Sequence, residues 1–85
     1  MNRREQWRPV LDAEVKKWSA KSCAELIADL REVKAYQVEF DNKKYTLEVQ
    51  LLEDTDKYLH VCVEVDDGSI ARSFRPLSES FIREK

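Results

Sequence analysis

Tyr58-Leu59-His60-Val61-Cys62-Val63-Glu64-Val65 decides the fold. Leu59, Val61, Val63 and Val65 point to one side of an extended chain, and Tyr58, His60, Cys62 and Glu64 to the other. That is the period-two pattern of a strand with one buried face. A strand of this kind needs partners, and the segments on either side supply them.

Upstream, Tyr36, Val38 and Phe40 alternate with Gln37 and Glu39, Asp41-Asn42-Lys43-Lys44 reads as a turn, and Tyr45, Leu47, Val49 and Leu51 alternate with Thr46, Glu48 and Gln50. This predicts a β-hairpin. Pairing Asp41 with Lys44 sets Phe40 opposite Tyr45, Val38 opposite Leu47 and Tyr36 opposite Val49, with Asn42 best suited to a positive φ. Glu53 to Lys57 is expected as a charged loop, and pairing Leu52 with Tyr58 keeps the odd-numbered apolar residues of both strands on one face. Downstream, Asp66-Asp67-Gly68-Ser69 predicts a tight turn, with the chain's only glycine where a type I′ hairpin needs one. Ile70 to Phe74 is then expected as a fourth strand, ended by Pro76. Ser78 would cap a last helical turn, with Phe81 and Ile82 as its apolar contacts.

The N-terminal third changes period. Trp7, Val10, Leu11, Val15 and Trp18 form an apolar stripe at helical spacing, and Pro9 suits a first helical position, so a helix is expected from Pro9 to Ser19. A turn starting nearer Asn2 and interrupted at Pro9 is the alternative. Ser22-Cys23-Ala24-Glu25 is a capping box, which predicts a second helix from Cys23 to about Val33 with Leu26, Ile27, Leu30 and Val33 inward. The expected fold is α+β: one domain over 1–85, two N-terminal helices packed on one face of a four-stranded antiparallel meander, and a short C-terminal helical turn.

Composition narrows the function. The 85 residues are 42% hydrophobic and 38% charged with few Gly and Pro, as in ordinary folded domains. A net charge of −2 argues against a dedicated nucleic-acid binder, which would carry a basic balance. The basic residues Arg3, Arg4, Arg8, Lys16, Lys17 and Lys21, which gather near the first helix, are diluted by Glu5, Asp12 and Glu14, so nucleic acid is an unlikely partner and a solvated helix face the stronger reading. No window approaches the ~18 apolar residues of a membrane span, and no signal peptide is evident, so the expected location is cytoplasmic. Cys23 and Cys62 lack metal-motif spacing and are expected reduced.

The pairing above sets Cys62 opposite Glu48, His60 opposite Gln50 and Glu64 opposite Thr46 on the outer face. Imidazole, thiolate and carboxylate there make His60, Cys62 and Glu48 the candidates for a metal- or thiol-dependent activity. The competing reading is an open sheet face with ordinary polar side chains, and a flat sheet is a poor metal cage. Cys23 at a helix start invites a reactive-thiol reading, but no base or second thiol lies beside it in sequence. The chain has one histidine, no nucleophile-elbow serine and no glycine-rich loop, and its paired acidic residues fall in turns. No catalytic residue, metal or cofactor is expected. Trp7, Leu52 and Tyr58 are the interface candidates, and a protein partner or a second copy of the chain is the expected ligand.

Val65-Asp66-Asp67-Gly68 and Phe74-Arg75-Pro76-Leu77-Ser78-Glu79-Ser80-Phe81-Ile82 resemble a family of small uncharacterised bacterial proteins that share a DDG turn, a preceding hairpin and a similar ending. The resemblance covers about the C-terminal two-thirds of the chain. It implies a bacterial source and supplies no site residues. Together these readings point to a small, non-enzymatic interaction or regulatory domain that self-associates, with the outer-face metal or thiol activity and weak nucleic-acid binding as alternatives.

Overall fold

Along the alternating stretch, Leu59, Val61, Val63 and Val65 are all buried while their neighbours reach partly to solvent. The structure is a computed structural model and describes residues 3–66 and 77–85, residues 3–6 as backbone only. Helices α1 (Arg3–Ser19) and α2 (Cys23–Asp29) precede strands β1 (Lys34–Phe40), β2 (Lys43–Asp54), β3 (Tyr58–Asp66) and β4 (Leu77–Glu84). The strands form one antiparallel sheet in the order β1-β2-β3-β4, so the α+β meander with N-terminal helices is the observed fold. None of the described helices is long and apolar enough to cross a membrane.

One face of the sheet meets the helices. Leu47, Val49, Leu59, Val61 and Val63 on that face are 0% exposed, as are Leu11 of α1 and Leu26 of α2. The two layers therefore share one apolar core, into which Trp7, Val10 and Trp18 also pack. Helix α1 starts earlier than the position of Pro9 suggests and runs through the proline without a break. Pro9 costs about 3 kcal/mol by removing one N–H from the helix ladder. Trp7, Val10, Leu11 and Trp18 are each at most 4% exposed, and burial of such side chains is worth roughly 1.5–3 kcal/mol apiece, so packing outweighs the proline.

Helix α2 begins as expected. Ser22 is the N-cap, its Oγ accepts from the Glu25 N–H at 3.2 Å, and it donates to the Glu25 carboxylate at 3.1 Å. It ends at Asp29 rather than near Val33, with Leu30 as C-cap and its N–H bonded to the Leu26 carbonyl. Leu26 and Leu30 already fill the space above the sheet, whereas Val33 is 56% exposed; extending the helix would bury nothing more.

Two registers differ from expectation by two residues, which leaves the side chains up to Leu51 on their expected faces; beyond the bulge the β2–β3 offset is three. In the β1–β2 hairpin Val38 pairs with Tyr45, Tyr36 with Leu47 and Lys34 with Val49. The turn is Asp41-Asn42, both in the left-handed region at φ 53° and 64°, as a type I′ turn requires. In the β2–β3 hairpin the connection is shorter than the charged loop expected, because Thr55 closes it: its Oγ1 accepts from the N–H of Lys57 and Tyr58 and donates to the Tyr58 carbonyl. A bulge between Leu51 and Glu53 takes up the resulting mismatch.

The C-terminal segment corrects the expectation of a helical turn. Leu77–Glu84 is a strand, paired along its whole length with β3 from Val65↔Leu77 to Tyr58↔Glu84. Leu77 and Phe81 are four residues apart, a spacing that suits a helix as well as one face of a strand. The unpaired edge of the buried strand β3 decides between them, since its N–H and C=O groups need partners. The expected strand Ile70 to Phe74 and the glycine turn before it lie outside the described residues.

Candidate functional site

The outer face of the sheet is built by the residues that alternate with the core. Along β3 these are Tyr58, His60, Cys62 and Glu64; β4 contributes Ser78, Ser80, Ile82 and Glu84, and β2 contributes Glu48, Gln50 and Glu53. The observed register corrects each predicted pairing across this face. Glu48 stands opposite Glu64, Gln50 opposite Cys62, and Glu53 opposite His60.

His60 sits at the centre of the end nearest the β2–β3 turn. Its Nδ1 lies 3.3 Å from Glu53 Oε1, and the Tyr58 hydroxyl donates to the other Glu53 oxygen at 3.5 Å. The bulge makes this possible, since two residues of β2, Leu52 and Glu53, oppose one residue of β3. On the far side His60 faces Ile82. Ile82, across from His60, and Leu52, at the bulge beside Glu53, are 53% and 47% exposed, so an imidazole with a carboxylate partner lies in a region with exposed aliphatic residues.

His60, Cys62 and Glu48 share the face but do not converge. Glu48 lies on the rung beyond Cys62, so the three residues occupy three different rungs of the sheet. Among the described residues no group of three or more His, Cys, Asp or Glu side chains is placed to hold a metal ion. Burial, and then the Glu64 charge, push the Cys62 thiol above its ordinary pKa, which disfavours the thiolate. Cys23, at the first residue of α2, directs its Sγ to the Glu84 carbonyl at 3.4 Å. Both cysteines are free.

Of the three interface candidates, Leu52 is open to solvent and Tyr58 partly so, while Trp7 is a correction: at 3% exposure it belongs to the core and presents no surface. Scans against protein-family models, curated proteins and solved structures each return no match.

A second cluster, missed by sequence periodicity, lies where the end of α1 reaches β1. The Trp18 Nε1 donates to the Tyr36 hydroxyl at 2.7 Å, and that hydroxyl donates in turn to the Glu14 carboxylate. Burial first, and the bond to Glu14 second, push the Tyr36 pKa strongly upward. Trp18 lies on the helical stripe and Tyr36 on the inward face of its strand, so both faces were legible. Their meeting required knowing that α1 crosses the sheet toward its β1 edge.

Proposed function

We propose that this protein is a small, non-catalytic interaction domain that pairs with a second copy of itself through the outer sheet face. The observation that carries the reading is the exposed Ile82 opposite His60, on a face that neither helix covers, with Leu52, about half exposed, at the bulge next to His60's partner Glu53. The acidic residues Glu48 and Glu64 lie toward the other end of that face. Glu53 and Glu84 also stand on this face, opposite His60 and Tyr58, and the His60 imidazole and the Tyr58 hydroxyl both face the Glu53 carboxylate.

Cys23 over the inner face and Cys62 on the outer face stand on opposite sides of the sheet and do not pair within the chain, which supports a reducing, cytoplasmic setting. The bacterial source implied by the DDG-turn resemblance is compatible with that setting.

Light scattering coupled to size-exclusion chromatography tests the reading on the wild type and on a Leu52→Lys, Tyr58→Lys variant. A wild-type dimer that the variant converts to a folded monomer is expected. A wild-type monomer at millimolar concentration, or a dimer indifferent to both changes, overturns it.

A further inference from the structure

The cluster at the end of α1 is not used by the outer face and has the make-up of a binding site. Lys17, Trp18 and Lys21 meet Asp29 from the end of α2 and Lys34 and Tyr36 from β1 around a pocket of about 260 Å³. Trp18, 4% exposed, belongs to the core and fixes the partly exposed Tyr36 ring through the bond from its indole N–H to the Tyr36 hydroxyl, so Tyr36 is the aromatic surface the pocket presents.

Three lysines line this small volume, and their partners are unequal. Lys21 Nζ lies 3.1 Å from Asp29 and 5.2 Å above the Trp18 ring. Lys17 Nζ lies over the Tyr36 ring at 5.5 Å and only at 3.9 Å from Glu14, whose same oxygen already accepts from Tyr36. Lys34 has no carboxylate partner among the described residues. With Asp29 lining the pocket and Glu14 beside it, three cations face two carboxylates, an excess of one positive charge. Crowded ammonium groups repel one another, and an anion seated among them offsets that repulsion.

The planar fork of arginine grips carboxylate and phosphate alike and no arginine lines this pocket; its lysines are compact point charges of the kind that bind phosphate oxygens, and comparison with acetate separates the two anions. The volume falls at or below the small end of the usual ~300–1,000 Å³ for ligand sites, which matches a small organic group rather than a dinucleotide. With lysines over the ring faces, the organic part would lie along the ring edges. We propose that the pocket formed by Lys17, Trp18, Lys21, Lys34 and Tyr36 binds a phosphomonoester group.

The test is two-dimensional NMR of the full chain, titrated at constant ionic strength with phenyl phosphate, inorganic phosphate and acetate. A separate arm measures co-sedimentation with vesicles containing phosphatidic acid, which carries the same group on a lipid. Saturable shifts at the Trp18 indole N–H and the Lys34 amide are expected, strongest for phenyl phosphate. A Lys17→Ala, Lys34→Ala variant should bind at least ~10-fold more weakly, equivalent to about 1.4 kcal/mol. A Lys16→Ala, Lys44→Ala variant, with the same loss of charge elsewhere, should bind as the wild type does. Vesicle binding that requires Lys17 and Lys34, without binding of free phenyl phosphate, would assign the phosphomonoester to a lipid headgroup. Acetate binding as tightly as phenyl phosphate, equal weakening in both variants, or no saturable binding in either arm overturns the proposal.

Discussion

The two faces of the sheet are made from the same strands, residue by residue in alternation, yet they are built differently. The inner face is apolar and its centre is closed: Leu47, Val49, Leu59, Val61 and Val63 are fully buried under the helices. The outer face carries acids, amides, a thiol and an imidazole, with its apolar character confined to Leu52 and Ile82 beside His60. Stability therefore belongs to one face, and recognition is assigned to the other. Substitutions at neighbouring positions of one strand should differ by several kcal/mol according to which way they point.

The largest contrast lies between Leu47 and Glu48. Leu47→Ala should cost about 2–5 kcal/mol in urea denaturation, while Glu48→Gln should stay within about 0.5 kcal/mol and relieve the like-charge pairing with Glu64. Equal effects would break the two-face description.

The next effect comes from Tyr36, which ties the end of α1 to the edge strand. Tyr36→Phe leaves the buried Trp18 N–H without its acceptor and should cost about 1–3 kcal/mol. The same residue makes stability depend on alkaline pH. Its pKa is raised in the folded chain, so above the ordinary tyrosine value the unfolded chain has lost a proton that the folded chain keeps. The Tyr36 contribution is therefore complete below ~pH 10 and declines as pH rises beyond it. The gap in denaturation midpoint between wild type and Tyr36→Phe should narrow over that range; a gap that widens contradicts the sign.

A smaller effect is expected at the hairpin that sets the β1–β2 register. Asn42 sits at φ 64°, where glycine has no Cβ penalty. Asn42→Gly should keep the fold and change stability by less than ~1 kcal/mol, whereas Asn42→Val should destabilise by more than that, since a β-branched residue tolerates this region poorly. The smallest belongs to Lys85 and Asp54, an exposed ion pair at 2.6 Å: Lys85→Ala should cost no more than about 1 kcal/mol, and less in high salt.

The same division explains what could be read from the sequence. Face assignment was legible because period two survives any even slip, so Leu47 and Val61 were placed inside although their partners were displaced. Pairing was not legible, because it depended on the Thr55 side chain closing a short connection and on the bulge at Leu52, neither of which leaves a periodic trace. The strand Leu77–Glu84 reads as a helical turn when Ser78 is taken as a cap with Phe81 and Ile82 as its contacts, and only the free edge of β3 shows that the segment is extended. The candidates His60, Cys62 and Glu48 do share the outer face, as the alternation placed them, but which residues face one another across it was not legible. The lysine-lined pocket stayed hidden because its members come from three separate elements.

The most direct test of the assignment of recognition to the outer face uses the two thiols as opposed reporters. Alkylation rates of Cys62 and Cys23 are measured by mass spectrometry on the wild-type protein across a range of concentrations. If copies pair through the outer face, Cys62, one outward position along β3 from His60, becomes protected as concentration rises while Cys23 on the helix side keeps a constant rate. A Cys62 rate independent of concentration in a protein that self-associates, or protection of Cys23 in its place, would contradict the assignment.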